Sequence, residues 1–139
     1  MSKSRGQTLV EFAICMPIFV LLIFSLIEGG RFMFTWVLLS EATREGIRAA
    51  VLPSTTSTTT IVNQANGLAK YAPGFSTSGV SVYKNGTPVP TDPGTFTKNR
   101  GDTMKVQITY TFQFLTGSGL LPFANNYPIT TATQMWAEG

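Results

Sequence analysis

From Phe12 to Ile27 the chain carries no charged residue, and nothing else in it constrains the fold so strongly. Extended back to Thr8, the run is 20 residues long, about 30 Å as a helix and the thickness of a bilayer's hydrocarbon core. In hydrocarbon every backbone polar group must be paired within the segment, so this run predicts one helix crossing a membrane. Its leading edge is unusual. Glu11 stands just inside it, where an unpaired carboxylate costs several kcal/mol or more to bury. Before Glu11 come a short basic stretch with Lys3 and Arg5, a single Gly6, and four uncharged residues, Gln7 to Val10.

Two ordinary readings compete for such a run. A signal peptide cut on the far side has a shorter apolar core followed by a small-x-small site. Here the run ends Ser25-Leu26-Ile27-Glu28-Gly29-Gly30, without that step. A plain uncleaved anchor fits the length and stays open. Lys3 and Arg5 favour an inside N-terminus, while Arg31, Arg44 and Arg48 follow the run, partly offset by Glu28, Glu41 and Glu45. Pro17 removes a backbone donor opposite the carbonyl of Ala13 and is expected to kink or loosen the helix, or to be simply tolerated. Ser25 and Gly29 have small-xxx-small spacing, which permits close helix approach.

Helical periodicity continues past the membrane segment. Phe32, Trp36, Leu39, Thr43, Gly46 and Ala50 recur at steps of three and four, within about 80° of one another. Glu41, Arg44, Glu45 and Arg48 fall opposite, in two i,i+3 pairs. One face is therefore expected to pack through Phe32, Trp36, Leu39, Gly46 and Ala50, and the other to be wet. Taken from Gln7 to Leu52, this is a helix of 46 residues, about 69 Å long, with a bend expected at Gly29-Gly30.

The rest of the chain is rich in Thr, Ser, Gly and Pro, so its core is small. Ser54 to Thr60 is an all Ser/Thr tract that reads as a linker or mobile loop. A short helix is predicted over 61–72, ended by Pro73-Gly74. A strand over 79–83 leads to the tight-turn signal Asn85-Gly86 and a short return strand over 87–89. The nearby prolines hold that strand to an edge. Residues 91–102 read as a loop, 116–119 as a break and 120–123 as an apolar loop. Lys105 to Leu115 alternates most clearly, with Val106, Ile108, Tyr110, Phe112 and Phe114 on one side. A last strand is predicted over 127–136. Tyr110, Phe112, Phe114, Tyr127 and Trp136 are expected in the core, with a partner surface as the alternative. The fold class that follows is α+β: a long N-terminal membrane-spanning helix, then a small antiparallel sheet of three or four strands packed on the exposed helix face or on the short helix.

Several chemistries find no support in these residues. The chain has no His, and its single Cys, Cys15, lies within the apolar run, so a Cys/His metal site and an internal disulfide are out of reach. No nucleophile–base spacing and no phosphate-cradling Gly motif occurs, so the chain reads as no enzyme and takes no cofactor, metal or small-molecule substrate. Without Lys3 and Arg5 the charge is eight basic against seven acidic residues, which argues against a nucleic-acid partner.

Taken together, Arg5-Gly6 through Glu11-Phe12, Pro17, Ile27 to Arg31, and the block Ala42-Thr43-Arg44-Glu45-Gly46-Ile47-Arg48-Ala49-Ala50 resemble the TadE-like proteins, minor pilins or pseudopilins of the tight-adherence (Flp-type) pilus system. Ile47 stands where that family usually has Ala. The resemblance spans residues 5 to 51 and leaves the β-rich half matched only in size and character. It implies a prepilin leader over 1–6, cut between Gly6 and Gln7 by a membrane-embedded prepilin peptidase. A transmembrane part over 7–28, an exported amphipathic part over 29–52, a linker over 53–60 and an extracytoplasmic domain over 61–139 then follow. It places the chain in a bacterial inner membrane with the N-terminus cytoplasmic, possible entry into the fibre, and a role in adhesion and surface colonisation. Its implied partners are the peptidase, other pilins or pseudopilins, inner-membrane assembly components and lipid. Glyine's lack of a side chain leaves Gly6 open to a peptidase. After the cut Glu11 is the fifth residue, placed to meet the new amine of a neighbouring subunit. The rival expectations are a solvated Glu11 at the headgroups, and an uncleaved single-pass protein whose β-rich domain binds a secretion or adhesion partner.

Overall fold

The computed structural model describes residues 3–53, 56–75, 79–90, 95–114 and 126–138, with side chains from Gly6 onward. Six elements follow in order: α1 (Lys3–Val51), α2 (Thr58–Ala69), β1 (Val80–Lys84), β2 (Thr87–Val89), β3 (Thr103–Phe112) and β4 (Tyr127–Trp136). The expected α+β arrangement is present, a long apolar helix followed by an antiparallel sheet in the order β2-β1-β3-β4. Helix α1 runs continuously through Pro17 and through Gly29-Gly30.

The sheet follows its alternation. Met104, Val106, Ile108, Tyr110 and Phe112 of β3 are buried, while the residues between them are partly or fully exposed. β4 pairs with β3 from Tyr127↔Phe112 to Trp136↔Thr103. Asn85 (φ 49°) and Gly86 (φ 82°) both adopt the left-handed region, the pair of values a two-residue hairpin turn demands. The turn joins β1 to β2 with Lys84 opposite Thr87.

α1 lies along the buried face of the sheet. Thr131 Oγ1 donates to the Leu39 carbonyl at 3.3 Å, Thr43 and Thr133 hydroxyls meet at 3.0 Å, and the Glu138 amide donates to the Val51 carbonyl at 3.2 Å. β4 thus ascends beside α1 from near Phe32 to the helix end. α2 packs against α1, and Gly46 is the reason they come so close. A Cβ at Gly46 would stand 3.0 Å from the Ala65 Cβ and 3.2 Å from a Val106 methyl. The core joins Leu39, Ala42, Ile47 and Ala50 of α1 to Ile61 and Ala65 of α2 and to the inner residues of β1 and β3.

The end of α1 is closed from a distance. Lys98 Nζ donates to the Ala50 carbonyl at 2.8 Å and also to that of Leu52, satisfying acceptors that the helix leaves open. Burial lowers the pKa of Lys98. Tyr110 donates its hydroxyl to the Pro73 carbonyl and stacks with Phe75 at 6.4 Å, tying the α2–β1 connection to the sheet. Burial raises its pKa, and the Arg31 charge opposes that.

Several expectations need correction. α2 begins at Thr58, three residues before the predicted start at Ile61. Thr58 is fully buried and Ser57 forms a bridge with Thr95, so this end of the Ser/Thr tract is structure, whereas Ser54 and Thr55 lie outside the described residues. Tyr127 and Trp136 are exposed, not core. Residues 91–94 of the loop expected over 91–102, and all of the break at 116–119 and the apolar loop at 120–123, also lie outside the described residues. Of the two expected helix pairs, Glu41–Arg44 forms at 3.0 Å. Glu45–Arg48 is not among the ion pairs of the described residues.

Candidate assembly and processing site on the long helix

The predicted site lies at the bare end of α1. Gly6, Gln7 and Glu11 are helical and exposed, and a Cβ at Gly6 would meet nothing within 4 Å. Gly costs an interior helix about 1 kcal/mol relative to Ala, so the Gly6–Gln7 bond sits where the helix is easily opened. Gln7 and Glu11 are four apart on one face, and the Gln7 side-chain amide donates to Glu11 Oε1 at 3.2 Å. The carboxylate therefore already has a donor one turn below it, contributed by the residue that follows Gly6.

Above Glu11 the helix is apolar all round. Phe12, Ile14, Ile18, Leu22 and Leu26 are exposed. A hydrophobic face on every side is what a membrane span or a helix bundle requires. The most apolar window of α1 has a mean hydropathy of 2.6, none of it buried within the chain. Ser25 donates its hydroxyl to the Leu21 carbonyl at 2.8 Å, so its polar group is met inside its own helix.

The expected packing face is present with one exception. Leu39, Gly46 and Ala50 are buried. Phe32 is partly buried and packs edge-on against Phe112, with ring centroids 5.4 Å apart. Trp36 is 48 % exposed, whereas its neighbour Thr35 is buried. A step of about 100° separates successive residues of a helix, which carries Trp36 to the rim of the packed face, where β4 is the sheet's last strand. Periodicity gave the right angle for Trp36 but could not show where the sheet stops.

One feature of the site went unassigned from the sequence. Glu28 is only 6 % exposed, and Arg31 Nη1 donates to its Oε2 at 2.7 Å. The Arg31 guanidinium also lies over the Phe112 ring, 5.4 Å from its centroid. Phe112 in turn meets Phe114 edge-on at 5.1 Å, and Phe32 meets Tyr127 at 6.2 Å. The i,i+3 spacing of Glu28 and Arg31 was the available signal. Their covering comes from strands 80 and more residues away, which no local pattern discloses. Removing Arg31 would take from the buried Glu28 its charge-assisted bond at 2.7 Å. Among the described residues, no group of three or more His, Cys, Asp or Glu could hold a metal ion.

Among the described residues one helix is long and apolar enough to cross a membrane, and its C-terminal half carries a small antiparallel sheet in an α+β arrangement. Residues 6–48 match the family model described as TadE-like protein, so the long helix, from Gly6 to near its end, is TadE-like. No curated protein and no solved structure matches the chain.

Proposed function

We propose that this protein is a minor pilin or pseudopilin of a tight-adherence pilus, cut between Gly6 and Gln7 by a prepilin peptidase and assembled through its N-terminal helix. The observation that carries this reading is the TadE-like match over residues 6–48, on a helix whose most apolar stretch is left unburied among the described residues. In this reading the N-terminus is cytoplasmic, the sheet domain is extracytoplasmic, and the complex supports adhesion and surface colonisation.

The chemistry of assembly follows from Glu11. In the single chain the Gln7 amide occupies its carboxylate. Cleavage creates an amine at Gln7, and in a bundle the amine of one subunit replaces that neutral donor at the Glu11 of another. An ammonium donor brings the opposite charge that the Gln7 amide lacks, and pairing cancels two charges that would each be costly alone in a poorly hydrated bundle. The pair sets the axial register between subunits.

The test is Gly6→Leu in a strain that makes the pilus. A branched side chain at the cut site obstructs the peptidase, so the variant is expected in the membrane fraction at its full mass, with no pilus. Normal trimming of Gly6→Leu would remove the processing claim.

A further inference from the structure

The face of α1 that no described part of the chain covers changes character abruptly. Leu26, Gly30, Met33 and Val37 follow one another along it at steps of three and four, all exposed. The next residues on the same face are Glu41, Arg44 and Arg48, also exposed. Phe34 and Trp36 flank the last apolar turn, both exposed. The uncovered surface is thus hydrocarbon-like up to Val37 and charged from Glu41.

Its length is informative. Phe12 to Val37 is 26 residues, about 39 Å of helix, or about 37 Å along the bilayer normal at the usual tilt near 20°. A hydrocarbon core is about 30 Å thick, and a bilayer with its headgroups about 40–45 Å. The apolar sleeve therefore fits the core plus one headgroup layer. Placing the inner boundary at Phe12 puts the outer one near Arg31. Glu28 and Arg31 are the only charges in this stretch, and they are joined to each other at 2.7 Å, with Arg31 covered by Phe112. At the same level the sheet ends in aromatic residues, with Tyr127 exposed beside Phe32. Tyr and Trp gather at the membrane–water interface because their rings are apolar and their edges polar.

We infer that the domain-side boundary of the hydrocarbon lies at Arg31, one turn beyond Ile27, and that Met33, Phe34, Trp36, Val37 and Tyr127 form a collar seated in the lipid headgroup layer. The sheet domain rests on the bilayer surface by its aromatic end. The Glu28–Arg31 pair lets the helix carry two charges at that depth. The inference rests on the membrane-spanning reading of α1 and is independent of cleavage and of the pilus.

The two tryptophans provide the experiment. Trp136 stands at the upper end of β4, opposite Thr103, and both indoles are exposed, so replacing either by Phe spares the core. Full-length Trp136→Phe and Trp36→Phe proteins are placed one chain per nanodisc, with lipids spin-labelled either near the glycerol or near the chain end. A third protein lacking both tryptophans and carrying Leu22→Trp reports insertion of the helix. Trp36 should emit at short wavelength and lose most of its intensity to the glycerol-level label, less to the chain-end label. Trp136 should keep its intensity, and Leu22→Trp should be quenched most by the chain-end label. Trp36 emission that is red-shifted and unquenched, beside a quenched Leu22→Trp, places the collar in water and overturns the inference. A blue shift of Trp36 that arises only when two chains share a disc assigns the collar to a second copy and overturns it too. An unquenched Leu22→Trp overturns the membrane reading itself.

Discussion

Glu11 differs from Glu28 and Glu41 in what surrounds it. Glu28 is buried against Arg31 and Glu41 is paired with Arg44, whereas Glu11 has the neutral amide of Gln7. Glu11→Gln keeps its size and removes its charge. The variant should still be trimmed, because the Gly6–Gln7 bond and the leader are unaltered. It should insert no less well, because the segment becomes more apolar. Co-purification with other pilus components should fall sharply, since a partner amine is left without its counter-charge. Wild-type assembly of Glu11→Gln would make Glu11 a solvated headgroup residue.

A second residue-scale prediction concerns the sheet. Asp102 accepts from the Asn99 amide at 2.7 Å, from the Asn85 side chain at 2.8 Å, and pairs with Lys84 at 3.0 Å. These donors, the Asn99 amide first, bring its pKa from 3.8 down to about 2. A depressed carboxylate stabilises the fold above its ordinary pKa, and that contribution is lost as pH falls from about 4 through about 2. The wild-type melting temperature should therefore exceed that of Asp102→Asn at neutral pH, with the gap closing as the pH drops through that window. A gap that stays constant from neutral pH down to pH about 2 would contradict the assignment. The Asn85-Gly86 turn was legible as a dipeptide. That Asn85 also reaches Asp102, and accepts from the Thr103 amide at 2.8 Å, was not, since the partner lies across the sheet.

At the scale of elements, α1 reads as two helices in one. Its upper half is a packing helix, and Gly46 is its tightest point. Gly46→Leu drives a side chain into Ala65 and Val106, and overpacking of this kind costs about 1–3 kcal/mol or more. Trp36→Ala, at a half-exposed rim position, should cost less than about 1 kcal/mol. Thermal unfolding of both full-length variants in detergent would check the order, and a larger loss for Trp36→Ala would show that the packed face is misplaced. The strands were legible because alternation is set by the pleat, so the buried side of β3 could be read residue by residue, whereas Tyr127 and Trp136 of β4 are exposed. The start of α2 was hidden because Thr is a poor helix former and seven Ser/Thr in a row look like linker. Burial of Thr58 and of Ile61 and Ala65 against α1 overrides that weak preference.

For the whole molecule, the distribution of apolar surface separates two tasks. The sheet, α2 and the upper part of α1 share one buried core, and the outer face of β3 is Thr, Gln and Lys. The lower part of α1 buries none within its most apolar window and depends on lipid or other subunits. The helix and its membrane character were legible because 3.6-residue periodicity and a charge-free run are local properties. The Glu28–Arg31 cover and the Lys98 cap were not, because each joins α1 to residues tens of positions away. The account's central claim is that α1 is delivered to assembly by cleavage, and the N-terminus of the protein extracted from membranes of its own host tests it most directly. Mass spectrometry of that N-terminal peptide should find Gln7 first. A peptide beginning at Met1 or Ser2, from cells that carry the pilus, would contradict the claim and leave an uncleaved single-pass protein.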